Sequence, residues 1–330
     1  MRRFILIPHL KIHNANALSS PFTIGLPAMT AWLGGTHALQ RKLNQNGFAD
    51  LIFKAMAVSC HNIDLQTYQA KNGYDSSLIL TRNPLDKDGK SPSIIEEARC
   101  HLKVSLLIEF SGADGEEIEK LKDKIPNQLH KMKFASGDIL DFGKIEILYL
   151  NENGDDLIQQ LKKITNKLML GNVIISRNDL MKGAMEQGIE QGQDALDAML
   201  DYLKIYHQVE KENKENIENS VSPNDKNLED KKVKWKSYRK SSGWLVPIAV
   251  GFHGISEIAE IGAVKNQRDP ETPHRFAESV VTLGQFIMPY RIKDIDEMLW
   301  EYEYQAENNL YLCKTLKTFN NLNKNKEQNV

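Results

Sequence analysis

Two Cys-His dipeptides, Cys60-His61 and Cys100-His101, supply four potential zinc ligands. In a strand, neighbouring side chains point to opposite faces, so each pair could share one metal only in a distorted segment. No metal or other cofactor is expected here. His101 also lies close to Arg99 and Glu97, a set suited to moving protons or to cutting RNA. No paired carboxylates and no nucleophile elbow accompany it, so an enzyme is not expected. Gly89-Lys90-Ser91 matches the end of a phosphate-binding loop, but Pro84 occupies the position of its first glycine, which rules out that nucleotide site.

Three other stretches suit the binding of phosphates or unstacked bases. Asn14-Ala15-Asn16-Ala17-Leu18-Ser19-Ser20-Pro21 follows an apolar run. A strand ending there and turning into a helix would present backbone N–H groups with Asn14, Asn16, Ser19 and Ser20. The same residues are ordinary turn formers, because Asn and Ser bond their own backbone. Thr81-Arg82-Asn83-Pro84 sets a guanidinium and an amide at a turn, and residues 266–276 carry Arg268, His274, Arg275 and Phe276 around two prolines. Arginine binds two phosphate oxygens and stacks on bases. Local ion pairing of Arg268 and Arg275 with Asp269, Glu271 or Glu278 is the competing reading.

The elements that must position these residues follow from hydrophobic periodicity. Residues 4–12 read as a buried strand, 28–43 as a helix, 51–60 and 77–80 as strands. Residues 101–110 alternate, with Leu102, Val104, Leu106 and Ile108 on one face. Residues 116–132 read as a helix that Pro126 kinks or ends, and 145–150 as a strand. This order predicts an α+β protein with a ferredoxin-like domain over residues 1–150, a four-stranded antiparallel sheet with both helices on one face. The open face of such an RRM-like sheet holds RNA bases.

Residues 151–330 predict a second, irregular α/β region. Helices are expected at 157–170, over one long span at 179–209, and at 275–286 and 295–304, with an extended piece at 172–176. Order is expected to return at Trp235 and to be firm over 244–248. Residues 210–232 are nearly all charged or amide, a composition that predicts a disordered insertion, and 318–330 form a polar tail.

The bulk composition fits a soluble chain of 330 residues with a net charge of −2. Residues 1–110 hold 12 Lys+Arg against 8 Asp+Glu, and residues 111–207 hold 12 against 17, so the first third is relatively basic. No apolar run reaches membrane-spanning length, so no membrane contact is expected. Three scattered cysteines fit a reducing, cytoplasmic setting.

Taken in order, several segments resemble one family. They are Pro8-His9-Leu10, Asn14-Ala15-Asn16-Ala17 with Ser19-Ser20-Pro21, His37-Ala38-Leu39-Gln40-Arg41, Thr81-Arg82-Asn83-Pro84-Leu85, and Glu96-Glu97-Ala98-Arg99 leading into His101-Leu102. Gly243-Trp244-Leu245-Val246-Pro247-Ile248 and Arg268-Asp269 with Glu271-Thr272-Pro273 and Arg275-Phe276 complete the series. The chain is similar to the second subunit of the type I-F CRISPR surveillance (Csy) complex, a family of the RAMP superfamily. That resemblance implies a non-catalytic RNA-binding subunit in antiviral defence. It would hold the 5′ handle of the CRISPR RNA, pair with the large subunit, abut the repeating backbone subunit and meet target DNA through the assembled complex. The handle-binding residues it suggests are Asn14, Asn16, Ser19, Ser20, Arg82, Asn83, Arg99, His101, Arg268 and Arg275. A RAMP endoribonuclease processing repeat RNA and a protein-only scaffold stand as alternatives. The 210–232 insertion and the polar tail depart from the family pattern.

Overall fold

Strand β1 spans Arg2–Asn16 in the computed structural model, and two bulges divide it. The structure describes residues 1–79, 85, 88–91, 97–152, 154–188, 192–209, 235–241, 243–267 and 269–319. Arg82, Asn83 and Arg268, the 210–232 insertion and most of the tail lie outside them. In β1, residues Phe4 to Ile7 are buried on both faces. Pro8, which has no N–H, and His9, at φ 53°, make the first bulge. Beyond it Leu10 and Ile12 turn inward while Lys11 and His13 are exposed.

The remaining strands, in order, are β2 (Leu18–Ser20), β3 (Thr23–Ile24), β4 (Ile52–Leu65), β5 (Thr67–Gln69), β6 (Ser76–Leu78) and β7 (Arg99–Ser111). Then come β8 (Lys133–Phe134), β9 (Gly137–Asp141), β10 (Glu146–Leu150), β11 (Asn172–Ser176), β12 (Tyr206–Val209) and β13 (Trp235–Tyr238). β14 (Trp244–Gly254), β15 (Ala277–Ile287), β16 (Trp300–Gln305) and β17 (Leu310–Thr315) end the series. The helices are α1 (Met29–Asn44), α2 (Glu116–Leu129), α3 (Leu157–Lys167), α4 (Asn178–Gly188) and α5 (Ala195–Leu203).

Eleven strands form one antiparallel sheet in the order β11-β15-β14-β17-β16-β4-β7-β1-β9-β8, with β10 also paired to β1. Helices α1 and α2 cover one face. Their Trp32, Leu39, Leu43, Leu121 and Ile125 pack on Leu10, Ile12, Val104 and Leu106. On the other face Phe4, Leu6, Leu107 and Leu148 meet Ile164 of α3 and Leu168 just after it, together with Ile295, Met298 and Leu299. Burying each such side chain is worth roughly 1.5–3 kcal/mol, so the sheet is held from both sides. Arg2 fastens this second layer. Its guanidinium makes paired bonds of 3.0 and 2.6 Å to Glu109 and one of 2.7 Å to Asp296.

Several expectations need correction. The strand does not turn into a helix at Asn14–Pro21. It runs to Asn16, and residues 18–24 close the β2–β3 hairpin before α1 starts at Met29. The sheet face opposite α1 and α2 is open only in part, because α3 and residues 292–299 cover its upper end. For the same reason β7 is buried on both faces from Val104 to Phe110. Pro126 lies inside α2 and does not end it: the helix runs on to Leu129 although the proline removes one i→i−4 hydrogen bond.

The long helix at 179–209 is instead two short helices and a strand. Asp194 restarts the helix by capping Asp197 N at 2.9 Å. The expected helix at 275–286 is β15, whose Val280, Val281 and Thr282 are β-branched and whose neighbours β11 and β14 bury it. The expected helix at 295–304 is a single 3-10 turn, Ile295–Glu297, followed by β16, where Trp300, Tyr302 and Tyr304 alternate.

Candidate functional site: an open half of the sheet

Below the second core layer, the sheet face opposite α1 and α2 has no apolar cover. Leu10, Ile12, Leu102, Val104 and Cys60 all face the first core. Strand alternation therefore sends Lys11, His13, His101 and Lys103 to the other side. The bulges bring His9 and His61 there as well. Four of the nine histidines thus share one half-face with two lysines.

The rings are ordered by contacts with one another and with backbone. His13 and His101 stack with centroids 4.2 Å apart, and His9 lies 4.7 Å from His61. His101 Nδ1 accepts the N–H of Asn14 at 3.0 Å, which Asn14 can offer because it adopts φ 58° in the second bulge. Ser105 Oγ accepts the N–H of His9 at 3.1 Å and lies 2.8 Å from His61 Nε2. Burial lowers the pKa of His61, with repulsion from His9 and Lys103 adding to it. Gly171 makes room for this ring, since a Cβ there would meet Ser59 Oγ at 2.3 Å and the His61 ring at 3.0 Å.

Acidic groups border the patch. Lys11 Nζ bonds Asp141 at 2.8 Å, and that pairing lowers the pKa of the carboxylate. Asp64 lies opposite His101 in the β4–β7 register. The half-face therefore offers imidazoles and ammonium groups without a large net charge. Such donors serve phosphate and base-edge contacts.

Of the residues singled out from sequence, Asn14 and His101 belong to this patch. Asn16 is next to it, but its side chain bonds Leu18 O and Leu18 N at 3.1 Å each, a turn-closing role. Ser19 and Ser20 both bond Thr23 Oγ1 at 2.8 Å within the β2–β3 hairpin. Arg99 pairs with Glu97 and is paired across β1 with Asn16, while its buried Nε has no partner among the described residues. Arg275, just before β15 and five strands from β7 in the sheet order, is bonded through Nη1 to Asn309 Oδ1 at 2.8 Å rather than to an acid. Cys60 and Cys100 turn into the core, where burial pushes their thiols up to about 12 and about 11, away from the histidines that follow them. His9, Lys11, His13 and Lys103 were missed, and His61 was weighed only as a zinc ligand. The available signal was the polar alternation Lys11/His13 and His101/Lys103 between apolar neighbours.

A second cation-bearing surface lies on the β12–β13 hairpin. Tyr206 pairs with Tyr238, and Gln208 with Lys236, on one face. Lys204 lies 5.0 Å from the Tyr206 ring, Lys236 5.7 Å from Tyr238, and Lys240 4.8 Å from Tyr202. Asp201 engages Lys204 and Lys240, so Lys236 has no acidic partner among the described residues.

These features define the class: an α+β protein built on one large antiparallel sheet, with a donor-lined half-face and an aromatic, lysine-bearing hairpin. A family model described as "CRISPR-associated protein (Cas_Csy2)" matches residues 5–313. The chain is also 31% identical over 322 residues to the CRISPR-associated protein Csy2 of Pseudomonas aeruginosa (strain UCBPP-PA14), with 94% of each chain covered. The chain belongs to the Csy2 family of CRISPR-associated proteins, the type I-F family that its sequence resembles. Among the described residues no helix is long and apolar enough to cross a membrane.

Proposed function

We propose that this chain is the non-catalytic subunit of a type I-F CRISPR surveillance ribonucleoprotein that holds the 5′ handle of the CRISPR RNA. The observation that carries the reading is the half-face where His9, Lys11, His13, His61, His101 and Lys103 converge with the Asn14 backbone. Single-stranded RNA is held by shape, phosphate contacts and stacking on flat side chains, and imidazole, amide and ammonium groups serve all three. The Tyr206–Tyr238 hairpin face adds rings for stacking and lysines for phosphates. Residues Asn14, Arg82, Asn83, Arg99 and His101 are assigned to the handle, with Arg268 and Arg275 as outlying contacts and Asn16, Ser19 and Ser20 shaping the adjoining hairpin.

Residues 1–150 constitute the ferredoxin-like RAMP unit in this reading, which the order β4-β7-β1-β10 with α1 and α2 on one face supports. Family membership supports assembly with other subunits of the complex, here the large subunit and the repeating backbone subunit. A cytoplasmic location and target DNA contact through the assembly belong to the same reading. The near-neutral charge implies that the isolated subunit binds RNA poorly.

The test is co-expression with the neighbouring CRISPR genes and purification by a tag on this chain. A short CRISPR RNA is expected in the complex; its absence from an otherwise complete complex overturns the assignment. The stacked His13–His101 pair keeps one second reading in view, an endoribonuclease acting on repeat RNA. Cleavage of a repeat hairpin by the purified protein, abolished in His101→Ala, would establish it.

A further inference from the structure

Strands β4 and β16 pair at one position, Met56 with Trp300, and then part. The gap between them is roofed by α1 and forms a recess of about 210 Å³. Phe53 and Tyr302 give it aromatic walls, Thr36 and Gln40 line it from the helix, and His37 and Lys54 are exposed at its rim. The volume is below the roughly 300 Å³ at which drug-sized sites begin, so it has room for one flat ring system.

Its polar groups are fixed. The Phe53 N–H, which has no ladder partner on this side, donates to Gln40 Oε1 at 2.8 Å. That bond orients the amide, and the Gln40 NH2 has no acceptor among the described residues. Thr36 Oγ1 donates to Leu33 O at 2.8 Å, leaving its lone pairs. The Tyr302 ring packs against Tyr311 at 5.2 Å between centroids, and burial raises the pKa of its phenol. No carboxylate lines the recess, and its one ammonium group is at the mouth.

We propose that this recess receives a single nucleobase unstacked from a single-stranded nucleic acid. The base lies against Phe53 and Tyr302, the Gln40 NH2 meets an acceptor on its edge, and Lys54 meets the adjoining phosphate. Aromatic walls with one oriented amide suit a heteroaromatic ring carrying carbonyl or ring-nitrogen acceptors, and the rim lysine suits the phosphate attached to it. The site is on the α1 side of the sheet, opposite the histidine half-face, so it stands or falls separately from the handle reading.

Gly34 provides the test. A Cβ there would have only the Tyr302 hydroxyl nearby, at 3.9 Å. Gly34→Ala therefore fits and favours the helix, while Gly34→Leu would extend a side chain toward Tyr302, a wall of the recess, and is expected to obstruct it. The measurement is saturation-transfer NMR on the full chain with AMP, GMP, CMP and UMP, and with their deoxy counterparts, at millimolar concentration. Transfer to base protons of at least one nucleotide is expected, kept in Gly34→Ala and lost in Gly34→Leu. His37→Trp, at the exposed rim, is expected to reduce it without touching the fold. Preference between ribo- and deoxyribonucleotides identifies the strand as RNA or DNA. Absence of transfer from every nucleotide, or transfer unchanged in Gly34→Leu and His37→Trp, overturns the proposal. Transfer from indole with none from nucleotides also overturns it, in favour of a pocket for a protein side chain.

Discussion

His13 and His101 stack at 4.2 Å with ring planes 14° apart, brought together by the pairing of β1 with β7. The pair is held in place because the backbone N–H of Asn14 bonds His101 Nδ1. It therefore presents a flat surface on a part of the sheet that neither core layer covers.

Lys11 and Lys103 flank that surface. In the assembled complex, Lys11→Ala with Lys103→Ala is expected to weaken guide retention and to flatten its salt dependence. Each lost phosphate contact should remove about 0.7 from the logarithmic salt slope for a single strand. Retention against a salt gradient measures this, and an unchanged slope would remove both lysines from the interface.

His61 makes stability depend on pH. Its pKa is below the ordinary value of 6.5 in the fold because burial disfavours the imidazolium. Its contribution is complete above pH 6.5. As the pH falls below that value the unfolded chain takes up a proton that the folded chain resists, so stability drops. Melting curves between about pH 5 and about pH 8 should show this acid-side loss, and His61→Gln should show less of it.

Arg2 ties β1 to β7 and to the 3-10 turn that contains Asp296. Arg2→Ala leaves Glu109, only 7% exposed, without its counter-charge, at an expected cost of about 3–5 kcal/mol. The double variant Arg2→Met with Glu109→Leu should recover much of the loss. Denaturant midpoints for the three proteins decide between a paired charge and simple packing.

Gly112 adopts φ +82°, and a Cβ there would fall 1.7 Å from the Asp50 carbonyl oxygen. Because that neighbour is backbone, Gly112→Ala should destabilise by about 4 kcal/mol or more. Soluble expression with an unchanged melting temperature would contradict the geometry.

Tyr206 and Tyr238 face the same way from paired positions on β12 and β13. Replacing either by Ala should weaken single-stranded RNA binding by the complex by about 1–3 kcal/mol, the worth of one stacked base. Phe at the same position should retain most of it, which filter binding can show.

Local pattern carried much of the architecture. The strands around residues 4–12, 101–110 and 145–150 and the helices at 28–43 and 116–132 were legible because each has a clear apolar period. β15 and β16 were not. Both are strands whose apolar residues fall at spacings that also suit a helix, and pairing with neighbours distant in sequence settles the choice. The break between α4 and α5 was marked only by glycines and by the Asp194 cap, which propensity alone reads as weak points.

Strand periodicity alone sets Lys11, His13, His101 and Lys103 in alternation with core residues, and turns Cys60 and Cys100 away from the histidines beside them. Family resemblance was likewise written in the order of its short motifs. Which part of the sheet stays open depends on packing across the whole chain, because the layer that closes the rest joins α3, from the middle of the chain, to residues 289–299, near its end. The tertiary structure also decided that Asn16, Ser19 and Ser20 bond within their own hairpin while His9 and His61 join the patch. A side chain's partners depend on which strands become neighbours, and that register is a property of the whole sheet.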